Sequence, residues 1–138
     1  MTPTSEPTRT ILVADDQEGQ RVLIDMLLSL EGYRLVAVED GREALAWLKE
    51  NTPDLVVLDV NMPYVDGIDV CRRMKGVSRL AEVPVVVLTA MRDEGTEQAV
   101  RAAGADVMVR KPLEGKDFRK QVSRLLSRRE DGDDADGA

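Results

Sequence analysis

Apolar residues along this chain fall into two textures that alternate from Ile11 to Leu126. Short apolar runs stand at Ile11–Ala14, Leu35–Val38, Leu55–Leu58, Val85–Leu88 and Val107–Val109. Three of them (ILVA, LVVL and VVVL) are apolar throughout, as strands of a parallel sheet covered on both faces should be. The stretches between them carry helical spacing. Leu23, Met26, Leu27 and Leu30 recur at i, i+3, i+4 and i+7, and Gly32 is placed to end that helix as its C′ residue. Asp40 with Glu43 three residues on predicts a capping box ahead of Ala44, Leu45 and Leu48. Val70, Cys71 and Met74 mark a third helix, and Ala99, Val100 and Ala103 before Gly104 a fourth. Phe118, Val122, Leu125 and Leu126 give the fifth its stripe.

A strand followed by a helix, five times over, predicts an α/β domain. Right-handed crossovers then give a mostly parallel sheet with helices on both faces. Residues 10–128 read as that single domain. Residues 1–9 are rich in Thr, Pro and Ser without periodicity and read as a flexible leader, and 129–138, a run of like charge, as an acidic disordered tail.

Composition narrows the chemistry. The chain has 138 residues, no histidine and one cysteine. A disulfide framework, the common zinc clusters, a Ser-His-Asp triad and histidine acid–base catalysis are all excluded. A net charge of −7 argues against nucleic acid as a partner. No apolar run approaches the roughly 18 residues of a membrane span, and the N-terminus carries no basic-then-apolar signal. A cytoplasmic location without a membrane partner is the expectation.

In a sheet of this kind, functional groups gather outside the carboxyl ends of the strands. Asp15 and Asp16 follow the first apolar run, Asp59 the third, Thr89 and Ala90 the fourth, and Lys111 and Pro112 the fifth. Three carboxylates at one edge repel one another unless a cation is supplied. Hard oxygen donors suit Mg²⁺, with Mn²⁺ an alternative. A carboxylate beside such an ion can attack phosphorus, and a lysine and a hydroxyl across the site would hold the phosphoryl oxygens. Singly, Asp16 or Thr89 reads as a helix N-cap, and Pro63 or Gly67 as a turn. The ordered set points to phosphoryl transfer onto a carboxylate.

With these residues in place, the chain resembles the receiver domain of bacterial two-component response regulators over about Thr10 to Arg128. The marks are Asp15-Asp16, the D-x-x-M-P-x-x-D-G segment from Asp59 to Gly67, Thr89-Ala90 and Lys111-Pro112. The resemblance implies a doubly wound, flavodoxin-like (βα)5 sandwich with its five parallel strands in the order 2-1-3-4-5. It implies that Asp59 is the phosphoacceptor and takes its phosphoryl group from a sensor histidine kinase or a phosphotransfer protein. Asp16 would bind Mg²⁺ directly and Asp15 largely through water, and the backbone carbonyl of Asn61 would complete the ligands. Thr89 and Lys111 would contact the phosphoryl group, with the Lys111-Pro112 bond cis. Phosphorylation would switch a face formed by helix 4, strand 5 and helix 5 toward a downstream protein partner. The implied protein is a signalling module rather than an enzyme, either a monomer or a phosphorylation-linked homodimer, and is expected to be a stand-alone receiver without a DNA-binding output domain.

Two positions depart from the family pattern. Met108 stands where an aromatic ring usually reports the state, and Leu113 follows Pro112 where Phe is common. Asn61 and Met91 occupy positions expected to tune the phosphoryl lifetime. Cys71, on the stripe of the third helix, reads as a buried inert thiol. Arg119, Arg124, Arg128 and Arg129 read as a solvated face or as an ion-pairing face for a dimer. Competing readings are an Mg²⁺-dependent phosphatase with an Asp nucleophile, a flavin-binding relative, and a receiver that works without phosphorylation. Asn61 stands where the phosphatase needs a second carboxylate, and four aromatic residues leave little to stack a flavin.

Overall fold

The structure, a computed structural model, describes residues 8–91 and 93–137, with side chains as far as Arg128. It contains β1 (Thr10–Ala14), α1 (Glu18–Ser29), β2 (Arg34–Val38), α2 (Gly41–Glu50), β3 (Leu55–Asp59), α3 (Gly67–Lys75), β4 (Val85–Thr89), α4 (Glu94–Ala102), β5 (Val107–Arg110) and α5 (Gly115–Gly137). The sheet order is β2-β1-β3-β4-β5, with every neighbouring pair parallel. Fold and strand order both agree with the sequence reading.

The pleat divides the core in two. Leu12, Ala14, Val56, Leu58, Val85 and Val87 face α2, α3 and α4, meeting Ala44, Leu48, Val70, Cys71, Met74 and Val100. Ile11, Val13, Leu55, Val57, Val86 and Leu88 face the other way, against Ile24 and Leu28 of α1 and Phe118, Val122, Leu125 and Leu126 of α5. Every residue of β3 and β4 is buried, because both faces are covered and both edges paired. The outer strands β2 and β5 are only half covered.

Capping follows the local sequence. Asp40 accepts a 2.8 Å hydrogen bond from the Glu43 amide, while the Glu43 carboxylate reaches back to the amide of Glu39. Asp66 and Asp93 cap α3 and α4 by accepting from the amides of Asp69 and Thr96. Neither Asp16 nor Thr89 is an N-cap: α1 begins after Gln17 and α4 after Asp93. Gly104 takes the left-handed conformation directly after the C-cap of α4 (φ 95°), a position that penalises any side chain.

Helix α1 departs from expectation. The stripe Leu23, Met26, Leu27, Leu30 is not the buried one; Ile24 and Leu28 are buried, whereas Met26 is 60% and Leu30 78% exposed. The helix holds overlapping apolar stripes, and periodicity alone cannot say which one the β1–α1 connection turns toward the sheet. At the other end, α5 is bounded at Gly137 and so runs through the acidic block read as a disordered tail. The side chains of that block, Arg129 among them, and the leader as far as Pro7 lie outside the described residues.

Candidate functional site

Parallel register assembles the site. Ala14 pairs with Leu58, so Asp15 leaves β1 beside Asp59, the last residue of β3. Thr89 ends β4 opposite Arg110, and the amide of Lys111 donates to the Thr89 carbonyl at 2.9 Å. Residues far apart in sequence thus reach one sheet edge because each stands at the carboxyl end of an apolar strand, Lys111 directly after Arg110.

Asp15, Asp59 and Thr89 are buried, and Asp16 is exposed. One carboxylate oxygen from each of Asp15, Asp16 and Asp59 lies within 4.8 Å of the others. Lys111 enters between the two buried acids, its Nζ 3.2 Å from Asp59 Oδ1 and 3.5 Å from Asp15 Oδ2. Asp15 is held from two more directions. Its Oδ1 accepts from the Gln17 amide at 2.9 Å, and its carbonyl accepts from Arg21 at 2.7 Å. The Lys111-Pro112 peptide is cis, as expected.

Electrostatics single out Asp59. Burial pushes its carboxyl above the ordinary Asp value, and the Asp15 charge pushes it further. Lys111 and the Asn61 backbone amide act the other way. Thr89 Oγ1 accepts from the Met91 amide at 2.9 Å, which leaves its own proton free to donate toward the edge. Asn61 is exposed in the loop that leaves β3, and Met108 is half-buried against the α2–α4 side of the core.

The donor set fits a hard divalent cation. Three carboxylates against one ammonium leave the edge with excess negative charge, and every candidate ligand atom is oxygen. Three oxygens within 4.8 Å of one another are close enough to converge on one small hard cation such as Mg²⁺.

Sequence reading missed two features of the β3–α3 loop. Gly67, read as a turn residue, is needed for space: a Cβ there would collide with the Asp59 carbonyl, and one on Gly41 would collide with the Val65 carbonyl. The Arg42 guanidinium also sits 3.9 Å over the Tyr64 ring centroid. No sequence signal announces that pair.

A family model described as "Response regulator receiver domain" matches residues 11–123. Among curated proteins, the chain is 34% identical over 121 residues to the transcriptional regulatory protein AfsQ1 of Streptomyces coelicolor, covering 88% of this chain and 52% of that protein. The chain thus spans about half the length of the first curated relatives it matches. Among solved structures, it superimposes at a TM-score of 0.83 on the signal receiver domain of a signal transduction histidine kinase from Syntrophus aciditrophicus. That pair is 35% identical, covering 87% and 91% of the two chains. The chemotaxis response regulator CheY4 of Vibrio cholerae gives 0.81 at 28% identity, covering 86% of this chain and 99% of that one.

Proposed function

The chain belongs to the response regulator receiver domain family, and on that premise we propose that Asp59 accepts a phosphoryl group in a Mg²⁺-dependent reaction. Receiver domains are two-component signalling modules, and the donor inferred here is a phosphohistidine on a sensor kinase or a phosphotransfer protein. The observation that carries the proposal is Lys111, wedged at 3.2 and 3.5 Å between two buried carboxylates, with a third acid in reach at the carboxyl edge of the sheet.

In the inferred reaction, a carboxylate oxygen of Asp59 attacks phosphorus. The Asp59 O–P bond forms as the P–N bond to the donor imidazole breaks, and the imidazole nitrogen leaves with the electron pair. Lys111 meets charge on the equatorial phosphoryl oxygens, and the Thr89 hydroxyl donates to one of them. Asp15, Asp16, Asp59 and the Asn61 carbonyl would hold Mg²⁺, which offsets the negative charge that otherwise opposes the donor's approach. Product formation replaces the single charge of the Asp59 carboxylate with the nearly two of a phosphoryl group, a net gain of about one negative charge that draws Thr89 and Lys111 inward. Because Thr89 ends β4 and Lys111 follows β5, that movement is transmitted to the α4–β5–α5 face, the inferred surface for a downstream protein. Among the described residues no helix is long and apolar enough to cross a membrane, and a cytoplasmic site of action is part of the proposal.

The test is intact mass after incubation with a small-molecule phosphodonor, with and without Mg²⁺, for the wild type and Asp59→Asn. The expected result is one phosphoryl adduct that needs Mg²⁺ and is lost in the variant. Neither an adduct nor Mg²⁺ binding would return the chain to the reading of a receiver that works without phosphorylation.

A further inference from the structure

The loop from Val60 to Asp66 carries Asn61, and its conformation is unusual for its residues. Tyr64 has φ 70°, the left-handed region that disfavours a residue with a Cβ. The amide of Val65 donates to the carbonyl of Pro63 at 2.8 Å, so Tyr64 is the centre of a γ-turn of positive φ, the rare and strained form. The residue is 71% exposed, so burial does not offset the strain. The one ring contact described is the Arg42 guanidinium, stacked 3.9 Å from the centroid. Arg42 belongs to the first turn of α2, which approaches the same loop through its backbone where Gly41 meets the Val65 carbonyl. The other end of the loop is fixed by Gly67, whose amide donates to Val60 and whose Cα lies against the Asp59 carbonyl.

We propose that Arg42 and Tyr64 are a positioning pair: their stack clamps the β3–α3 loop in the strained form that presents Asn61 beside Asp15, Asp16 and Asp59, and so sets the affinity for the divalent cation. This rests on the metal reading given under Proposed function. Strained backbone persists where surrounding contacts over-determine it, and here those contacts are the Gly41 approach and the guanidinium. A cation–π contact at an exposed site is worth about 0.5–1 kcal/mol, which as an affinity change is roughly two- to fivefold.

The experiment measures Mg²⁺ dissociation constants by calorimetry on the full chain, together with amide hydrogen exchange across Val60–Val65. The variants are Arg42→Ala, Tyr64→Ala, Tyr64→Phe and the Arg42→Ala/Tyr64→Ala double, with Arg34→Ala as a remote surface control. The clamp predicts a two- to fivefold weaker constant and faster loop exchange for both alanine variants. Phe, which keeps the ring face, should restore the wild-type value. The double variant should match the single ones, because removal of either partner already breaks the contact. If the wild type binds Mg²⁺ and the alanine variants match it, the clamp is overturned while the metal reading stands. If the wild type binds no Mg²⁺, the metal reading falls and the positioning role falls with it.

Discussion

Replacing Asp59 by Asn should stabilise the fold, although it removes the acid to which Lys111 is paired. At an effective dielectric of about 20, the Lys111 ammonium attracts Asp59 by about 5 kcal/mol at 3.2 Å, and Asp15 repels it by at least about 3.5 kcal/mol within 4.8 Å. Asp16 adds repulsion that water screens. The charge–charge effects nearly cancel, so desolvation decides. Burying a carboxylate costs several kcal/mol and burying an amide about 1–3, which leaves a gain of about 1–3 kcal/mol for the variant. For a domain of this size that is roughly 3 to 10 °C in Tm. The pH dependence has a definite sign. Burial, then Asp15, raises the Asp59 carboxyl above its ordinary value, so its contribution to stability is fullest below the ordinary Asp pKa and is lost as pH rises through the raised one. Asn does not titrate, so its advantage is complete near pH 7.5 and shrinks as pH falls into the carboxylate range. Thermal unfolding followed by circular dichroism, with chelator present, between pH 4.5 and 7.5 measures this. A variant no more stable than the wild type at pH 7.5, or a gain of equal size at both ends of the range, would refute the reasoning.

Four further outcomes are expected. Gly67→Ala places a Cβ against the Asp59 carbonyl and should lower stability by about 1–3 kcal/mol in urea unfolding. Gly19→Ala, with open space around it on α1, should instead gain about 0.5 kcal/mol. Arg79→Ala removes a side chain that donates to the carbonyls of Leu48, Lys49 and Asn51 and to the Thr52 hydroxyl; a loss of about 1–2 kcal/mol should appear in the same assay. Burial pushes the Cys71 thiol up to about 11, so a disulfide reagent at pH 8 should leave the native chain unlabelled and modify one thiol per chain in denaturant.

The alternation of strand and helix, the three strands covered on both faces and the cap at Asp40 follow from local chemistry, so the sequence by itself determines them. An unbroken apolar run such as VVVL has few places to go other than the middle of a covered sheet. Asp15, Asp59 and Thr89 were legible too, because each is the first polar residue at the end of a predicted strand, and Lys111 because it stands with Pro112 just beyond the last one. Their common location then follows from the parallel direction of the sheet. The buried face of α1 was not legible: Leu23 and Ile24 are equally apolar, and only the way β1 delivers the helix onto the sheet chooses Ile24 and Leu28. Nor did the sequence reveal that Gly67 is required by the Asp59 carbonyl, or that Arg42 lies over Tyr64. Those contacts join segments with no periodic relation to one another. Lys111 likewise finds its place between Asp15 and Asp59 only when β1, β3 and β5 are set in register. Hydrophobic spacing acts within one element and is read along the chain, whereas close approach and charge pairing act across elements and exist only once the chain is packed.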